Sequence, residues 1–457
     1  MRTIHRIGIG FLAGVFFAGG YGLRLQCTHR EQLAELAQNR SALTQGTRVA
    51  SVDLEGASNI DLRPVETLYS VVKNLREHYV EQLTSKDEGK MTHDALTAML
   101  ASLNDPNTRF IESDQRKIIA DAQESKFHGI GAILGIKRIK AGDINEEHLI
   151  VIAPLASGPA EKAGLKPGDD ITAVDGKSIL PFDPFQRANE FLKDARTKKT
   201  EQNVLRKQLE GEQKRIENGT SILDAESKLD SADGKTVELA IARKGSAKEI
   251  KIKLQMSEFA VEPVASSMVG DGKYGYIKIN DFSEATPQQF AEKISSFKSN
   301  GAKGLVLDLR NLAGGQEESV LQTAKYIAPE KILGILQKSH NRRSPVNIPT
   351  SPAKDVWSGP VVVLVNDGTA KMPEVLASAL KDHGVARLVG EKTYGDFTYT
   401  TLIDQADGSA VEMTMGKFLT SRGKDLNGQG VPVDIEVSAA NSGDAQLDRA
   451  IKLLSGS

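Results

Sequence analysis

The stretch VNDGTAKMPEVLASALKDHG, residues 365–384, predicts the end of a strand, a turn that contains glycine, and then a helix. Leu376, Ala379 and Leu380 fall on one face of that helix. A strand–turn–helix elbow of this kind is where many hydrolases place a nucleophile. The residue at the crest here is Lys371. The elbow therefore either performs unorthodox chemistry or has kept its fold and lost its reaction.

Length and composition limit the classes of function. The chain has 457 residues, which is enough for two or three domains of about 150 residues each. Lysine and arginine total 58 against 60 aspartate and glutamate, so no charge excess favours a nucleic-acid partner. A single cysteine, Cys27, excludes an intramolecular disulfide. The eight histidines are scattered and form no H-E-x-x-H motif, so we expect no metal and no other cofactor.

The N-terminus has the layout of an export signal. The basic MRTIHR precedes an uncharged apolar run over residues 7–23. Residues 1–26 are therefore predicted to be a signal peptide or an uncleaved membrane anchor, followed by a polar linker over residues 27–60. We expect an exported, extracytoplasmic protein, periplasmic or on the cell surface, that is tethered to the membrane by residues 7–23.

Three further regions follow the linker. Residues 61–115 carry amphipathic helical patterns, such as VETLYSVVKNLREHYV. Residues 116–257 alternate between strand and turn signals, but about 183–233 is dense in charge and predicts a helical insert. Residues 258–457 alternate between strands and helices, which favours an α/β core with parallel strand pairs.

The order of the motifs identifies a family. FHGIGAILGI and IVIAPLASGPAEKAGLKPGDDITAVDGKSI resemble a PDZ domain. GLVLDLRNLAGG, GPVVVLVNDGTA, LASALKDHGVARLVGEKTYG and LNGQGVPVDIEV resemble the core of the carboxyl-terminal processing proteases, the tail-specific serine peptidases. The resemblance implies an α/β fold class: a PDZ-like β-rich domain plus a ClpP/crotonase-like α/β protease core, preceded by a helical N-terminal segment.

The resemblance places a peptide site in the PDZ region. A glycine-rich strand start presents backbone N–H groups that can hold a peptide carboxylate, while the strand edge pairs with the peptide. By the resemblance Gly129, Ile130, Gly131 and Ala132 occupy that loop. The alternative is a glycine turn with no ligand. The motif is not the dinucleotide fingerprint, because its last glycine comes one residue late.

All three reactive positions of the family are altered in this chain. The family uses a serine nucleophile, a lysine base and an orienting glutamine, and here Lys371, Asp396 and Thr400 stand at those positions. Asp396 follows Lys371 by 25 residues, which is the spacing of the family. The resemblance assigns the oxyanion scaffold to Gly314, Gly315 and Met372.

The altered residues leave three hypotheses. The first is an inactive homologue that binds protein C-terminal tails or unfolded polypeptide, or acts as a scaffold, with an active paralogous protease as a further candidate partner. The second is an active tail-specific peptidase with an unorthodox site. The third is a structural assembly protein that makes its contacts through the charged insert. A Ser378–Lys381 dyad is disfavoured, since neither residue lies at the crest.

Lys371 and Asp396 also reverse the polarity of the catalytic pair. An attacking lysine amine would form a stable amide and could not turn over. An aspartate that activates water usually needs a second carboxylate. We therefore expect the two side chains to form an ion pair, because either charge alone would be stranded in a partly buried site.

Overall fold

The computed structural model describes residues 63–103, 105–141, 144–198, 202–230, 234–439 and 443–456. The predicted signal or anchor and the predicted linker lie outside these residues. No helix in the described ranges is both long and apolar enough to cross a bilayer. The chain divides into two compact units, residues 1–84 and 85–457, and the described part of the first contains helix α1 (Arg63–His78).

The second unit begins with a mixed segment. It contains α2 (Ser85–Ala101), β1 (Arg109–Ile111), α3 (Ser113–Gln123) and β2 (Lys126–Phe127). Glu112 precedes α3 and forms a capping box with Gln115, which satisfies N–H groups of the first turn. Helices therefore dominate this region, as its amphipathic pattern predicts.

The PDZ region forms a seven-stranded sheet. The strands are β3 (Ala132–Ala141), β4 (Ile144–Pro154), β5 (Asp170–Val174), β6 (Lys177–Leu180), β7 (Thr220–Ser221), β8 (Thr236–Ala242) and β9 (Ile250–Gln255). They run in the order β3-β4-β5-β6-β7, while β8 joins β5 to β9. In this arrangement β3 pairs only with β4 among the described strands, so its other edge is open.

The predicted charged insert contains helices, and one of them packs in the PDZ core. The PDZ region contains the helices α4 (Pro159–Lys162), α5 (Gln186–Lys198), α6 (Gln202–Glu217) and α7 (Ile222–Leu229), of which α5, α6 and α7 lie within residues 183–233. The α5 and α6 helices contact each other. Within the predicted insert, α7 buries Ile222, Ala225 and Leu229 in the PDZ core. These apolar positions recur at helical spacing and were obscured by the charges between them.

The C-terminal core is built on a six-stranded sheet. Its strands are β11 (Val264–Val269), β12 (Tyr274–Ile279), β13 (Leu305–Asp308), β16 (Val361–Val365), β17 (Ala386–Gly390) and β20 (Ile435–Glu436). All adjacent pairs from β12 onward are parallel, and β11 is antiparallel to β12. The predicted α/β core with parallel pairs is therefore confirmed.

Helices cover both faces of this sheet. They are α8 (Thr286–Ser299), α9 (Glu317–Ala324), α10 (Met372–Asp382) and α11 (Ala445–Leu454). Along β16, Val361, Val363 and Val365 pack in the main core, whereas Val362 and Leu364 pack with Ala450 of α11. A strand buried on both faces explains why VVVLV shows no polar alternation.

A second sheet lies beside the first in the same unit. It consists of β1, β14 (Ile332–Lys338), β15 (Arg343–Asn347), β18 (Thr398–Asp404) and β19 (Ala410–Leu419), and β10 (Phe259–Ala260) pairs separately with β2. β1 is antiparallel to β19, with Arg109 opposite Glu412. The boundary predicted at residue 115 therefore separates β1 from the sheet to which it belongs. A three-residue strand has too little sequence pattern for this pairing to be recognised.

We predict that Leu229→Ala lowers the free energy of unfolding by about 2–5 kcal/mol, since Leu229 is fully buried. Val204→Ala on α6 is the matched control, because that side chain is 45% exposed, and we expect a change within about 0.5 kcal/mol. Chemical denaturation measures both. Equal effects would contradict the placement of α7 in the PDZ core.

Candidate functional site

The elbow of the sequence analysis is present and is held rigidly. Lys371 lies between β16 and α10 with φ 60° and ψ −128°, a left-handed backbone conformation that is costly outside glycine. The Thr369 hydroxyl donates to the Leu309 carbonyl at 2.8 Å and fixes the turn. Residues 372–380 are all buried. The surrounding structure therefore holds the elbow in a geometry that it would not adopt by itself.

The buried carboxylate of Glu374 ties the elbow to the loop that bears Asp396. Its Oε2 accepts from the Lys371 N–H at 3.1 Å and from the Asp396 N–H at 2.8 Å. Its Oε1 accepts from the Gly395 N–H at 2.6 Å and from the Thr393 hydroxyl. Glu374 is fully buried, and burial raises the pKa of its carboxyl to about 7.

The loop that holds Asp396 needs the glycine that precedes it. Gly395 has φ 97°, and a Cβ there would approach the Gly430 nitrogen to 2.7 Å. Asp396 itself is only 9% exposed. Its Oδ1 accepts from the Thr398 N–H at 3.0 Å and from the Thr398 hydroxyl at 2.5 Å. Thr398 therefore satisfies the carboxylate locally.

The predicted ion pair between Lys371 and Asp396 is wrong. Both residues line one cavity, but among the ion pairs of the described residues none joins them. The carboxylate turns to Thr398, two residues along the chain, because a short-range hydrogen bond costs little chain entropy. The electrostatic partner of Lys371 is instead Glu412.

Glu412 is the centre of a charged group that the sequence analysis missed. Arg109 Nε donates to it at 3.0 Å, and Arg109 Nη1 donates to Glu226 of α7 at 2.8 Å. Burial raises the pKa of Glu412, but Arg109, Lys371 and the Thr400 hydroxyl outweigh it and hold that pKa below its usual range. The Thr400 hydroxyl thus faces a carboxylate. The sequence offered one signal for this charged group, namely a single glutamate among the alternating apolar residues of β19.

The oxyanion loop keeps a defined geometry. Gly314 has φ 86° and donates to the Ala370 carbonyl at 3.3 Å, while the Ala370 N–H donates to the Leu312 carbonyl at 3.0 Å. Gly315 has φ 92°, and its N–H has no backbone acceptor in the described part of the chain. Met372 is the first residue of α10, so its N–H has no acceptor within the helix. The loop and the elbow are therefore joined as a scaffold.

A cavity of about 890 Å³ connects these groups to the PDZ sheet. Its lining includes Lys371, Asp396 and Thr400, the loop from Asn311 to Gln316, and residues 133–138 of β3. Tyr394 lies in the wall, where the Lys137 ammonium sits 5.2 Å from the centre of its ring. The open edge of β3 therefore faces the elbow.

The predicted carboxylate loop is closed in this structure. The Ile130 N–H donates to the Leu229 carbonyl at 2.9 Å, and Ile130 is fully buried. Gly129 and Gly131 have positive φ, and Ala132 begins β3. The loop has the backbone shape that the sequence predicts, but the Ile130 N–H is not free to hold a ligand, because α7 ends against it.

Ser378 and Lys381 do not form a replacement dyad. The Ser378 hydroxyl donates to the Val375 carbonyl at 2.9 Å, and Ser378 is 2% exposed. The Lys381 ammonium donates to the Pro432 carbonyl at 2.6 Å and pairs with Asp434 at 3.0 Å. Neither residue lines the cavity.

Comparison with known proteins identifies the two domains. Residues 273–437 match the model of peptidase family S41. The C-terminal core is therefore similar to this peptidase family. Residues 150–200 match a PDZ domain. These assignments agree with the fold described above.

The chain is also similar to carboxyl-terminal processing proteases. The chain is 27% identical over 446 residues to carboxy-terminal processing protease CtpB of Bacillus subtilis. This alignment covers 96% of this chain and 80% of the relative. The chain is 28% identical over 395 residues to the carboxyl-terminal-processing protease of Synechocystis sp., covering 84% and 81% of the two chains. The solved photosystem II D1 C-terminal processing protease is 25% identical, with a TM-score of 0.59 over 84% of this chain and 90% of that one.

We predict that Glu374→Gln in the C-terminal core lowers the free energy of unfolding by an amount that depends on pH. The pKa of Glu374 is about 7 in the folded state against 4.5 for an ordinary glutamate, so its stabilising contribution is complete below pH 4.5 and falls as pH rises towards about 7. The amide should destabilise by about 1–3 kcal/mol at low pH, since a buried N–H loses its acceptor. The difference from wild type should shrink as pH rises.

Urea denaturation at several pH values measures this difference. Glu292→Gln is the control, because Glu292 is exposed on α8. A difference that grows with pH would show that Glu374 is stabilised as its anion.

We also predict that Arg109 and Glu412 are energetically coupled. In a double-mutant cycle, Arg109→Met and Glu412→Met should show a coupling energy of roughly 0.5–3 kcal/mol, since each single change strands a charge. The cycle of Lys371→Met with Asp396→Leu should give a smaller value, because those side chains form no ion pair. A larger coupling in the second cycle would contradict the observed pairing.

Proposed function

We propose that this chain is a non-catalytic, peptide-binding homologue of the carboxyl-terminal processing proteases. The proposal rests on which residues occupy the reactive positions. A lysine stands at the crest of the elbow. The position of the base holds an aspartate, whose Oδ1 accepts hydrogen bonds from Thr398. Hydrolysis by this family needs a hydroxyl nucleophile and a base that accepts its proton. Lys371 supplies no hydroxyl, and Asp396 stands where the family has its lysine base.

The groups around the elbow also fail to supply a substitute mechanism. Attack by the Lys371 amine would transfer the acyl group to nitrogen and leave an amide that water does not release. Asp396 is not paired with a second carboxylate that shares its proton, as an aspartic peptidase would require. Glu412, the other carboxylate near Lys371, is held as an anion by Arg109.

Peptide binding is favoured by the cavity. The open edge of β3 offers main-chain groups to an extended polypeptide, and side chains such as Ile133, Ile136 and Phe282 give the wall an apolar surface. We propose protein C-terminal tails or unfolded polypeptide as ligands, and an active paralogous protease as a further partner. A scaffolding role is compatible with the same surfaces.

We place the protein outside the cytoplasm, in the periplasm or on the cell surface. The proposal rests on the basic N-terminus and the apolar residues 7–23, which have the composition of a signal or anchor. Tethering to the membrane through that segment is part of the same proposal.

A second candidate function is peptidase activity through Thr398. Its hydroxyl donates to Asp396 at 2.5 Å and both residues line the cavity, which is the contact expected of a nucleophile and its base. The same contact has a structural explanation, because the Thr398 N–H donates to the same oxygen and closes a local turn. A carboxylate is also a weaker base than the neutral lysine amine of the family.

We predict that the purified protein does not cleave unfolded casein or peptides with apolar C-terminal tails, and that serine-directed phosphonates leave it unlabelled. Mass spectrometry of the products detects new chain ends. Cleavage that is lost in Lys371→Ala or Asp396→Ala would overturn the proposal. Cleavage that is lost in both Thr398→Val and Asp396→Ala but kept in Lys371→Ala would establish the second candidate.

A further inference from the structure

One cation in the cavity, Lys371, forms no direct ion pair with a carboxylate of the described residues, although Glu412 attracts it electrostatically. Four cationic residues line it, namely Arg109, Lys137, Arg138 and Lys371. Arg109 pairs with Glu226 and Glu412, Arg138 pairs with Glu147 at 3.0 Å, and Lys137 lies over Tyr394. Among the described residues no carboxylate lies within the 4.0 Å of an ion pair with the Lys371 ammonium.

Glu412 and Asp396 each have a hydrogen-bond partner other than Lys371. Glu412 already accepts from Arg109 and Thr400, and Asp396 already accepts from Thr398. Lys371 can therefore turn towards a ligand without stranding either anion. A partly buried ammonium that lacks a direct partner gains free energy from an incoming anion.

Two backbone groups next to Lys371 are suited to the same anion. The Gly315 N–H has no backbone acceptor in the described ranges, and the Met372 N–H begins α10. Hydrogen bonds through Ala370 fix the Gly314–Gly315 loop to the elbow, so its position is set before a ligand arrives. An ammonium beside oriented N–H groups matches the two oxygens of a carboxylate.

The rest of the cavity indicates which kind of molecule bears that carboxylate. Its volume of about 890 Å³ is far larger than an inorganic anion requires. The open edge of β3 pairs with an extended main chain, and Ile133, Ile136 and Leu155 provide apolar contacts. At the PDZ loop, the Ile130 N–H already donates to the Leu229 carbonyl and is not free to receive the end of the chain.

We propose that Lys371, with the Gly315 and Met372 N–H groups, binds the free α-carboxylate of a peptide that has apolar C-terminal residues. This inference rests on the proposed function, since it requires that a bound peptide is retained and not cleaved. The position of the family nucleophile thus becomes an anion receptor, occupied by a ligand that resembles a cleavage product.

The test compares how tightly the full chain binds a peptide with a free C-terminal acid and the same peptide with an amidated C-terminus. A fluorescein-labelled peptide of about ten residues that ends in Val-Ala-Ala is titrated by fluorescence anisotropy, beside the same peptide with an amidated C-terminus. We expect the acid to bind roughly tenfold more tightly than the amide, because amidation removes the charge-assisted contacts. Lys371→Met should reduce this ratio to about one, and Lys371→Arg should retain most of it.

Lys392→Met is the matched control, because Lys392 is exposed and lies outside the cavity. It should leave the acid-to-amide ratio unchanged. The ratio is read within each variant, so a general loss of stability does not imitate the effect, and Lys371→Gln provides a second neutral variant. A preference for the acid that persists in Lys371→Met places the carboxylate elsewhere and overturns the inference.

Other outcomes separate the inference from the proposed function. Equal binding of acid and amide by the wild type overturns the inference and leaves peptide binding standing. Cleavage of either peptide overturns the proposed function. The absence of binding by both peptides contradicts both.

Discussion

The buried carboxylate of Glu374 is the constraint on which the site depends. It accepts hydrogen bonds from the N–H groups of Lys371, Gly395 and Asp396 and from the Thr393 hydroxyl, so one side chain joins the elbow to the opposite loop. The elbow holds Lys371 at positive φ, which costs of order 1–3 kcal/mol for a residue other than glycine. Glu374 and the buried α10 helix supply the contacts that keep this backbone in place.

This arrangement separates the shape of an active site from its chemistry. The elbow, the oxyanion loop and the cavity depend on backbone hydrogen bonds and buried apolar residues, none of which requires a serine or a lysine at the reactive positions. If Lys371, Asp396 and Thr400 stand at the reactive positions, as we propose, they can differ from the family pattern without loss of the fold. Their new partners are local or long-range polar groups, namely Thr398 for Asp396 and Glu412 for Thr400.

Strong periodic patterns made much of the architecture predictable. The VVVLV run of β16 and the apolar spacing of α10 located the elbow, and the ordered motifs located the PDZ sheet and the α/β core. The pairing of β1 with β19 was not predictable, because three residues carry no period and their partners lie about three hundred residues away. The Arg109–Glu412 contact follows from that pairing and was missed with it. The predicted Lys371–Asp396 ion pair was wrong. The spacing of the two residues in the sequence does not show that the Thr398 hydroxyl competes with Lys371 for the Asp396 carboxylate.

The central claim is that this cavity holds a peptide carboxylate without performing acyl chemistry on it. Serine peptidases exchange the carboxylate oxygens of bound products with water, because the reverse of acylation passes through the acyl-enzyme. The most direct measurement incubates the protein with a free-acid peptide in water labelled with the heavy stable isotope of oxygen and follows the peptide mass. The account predicts no label uptake above a protein-free control. Uptake that requires the folded protein and is lost in Asp396→Ala or Thr398→Val would contradict it.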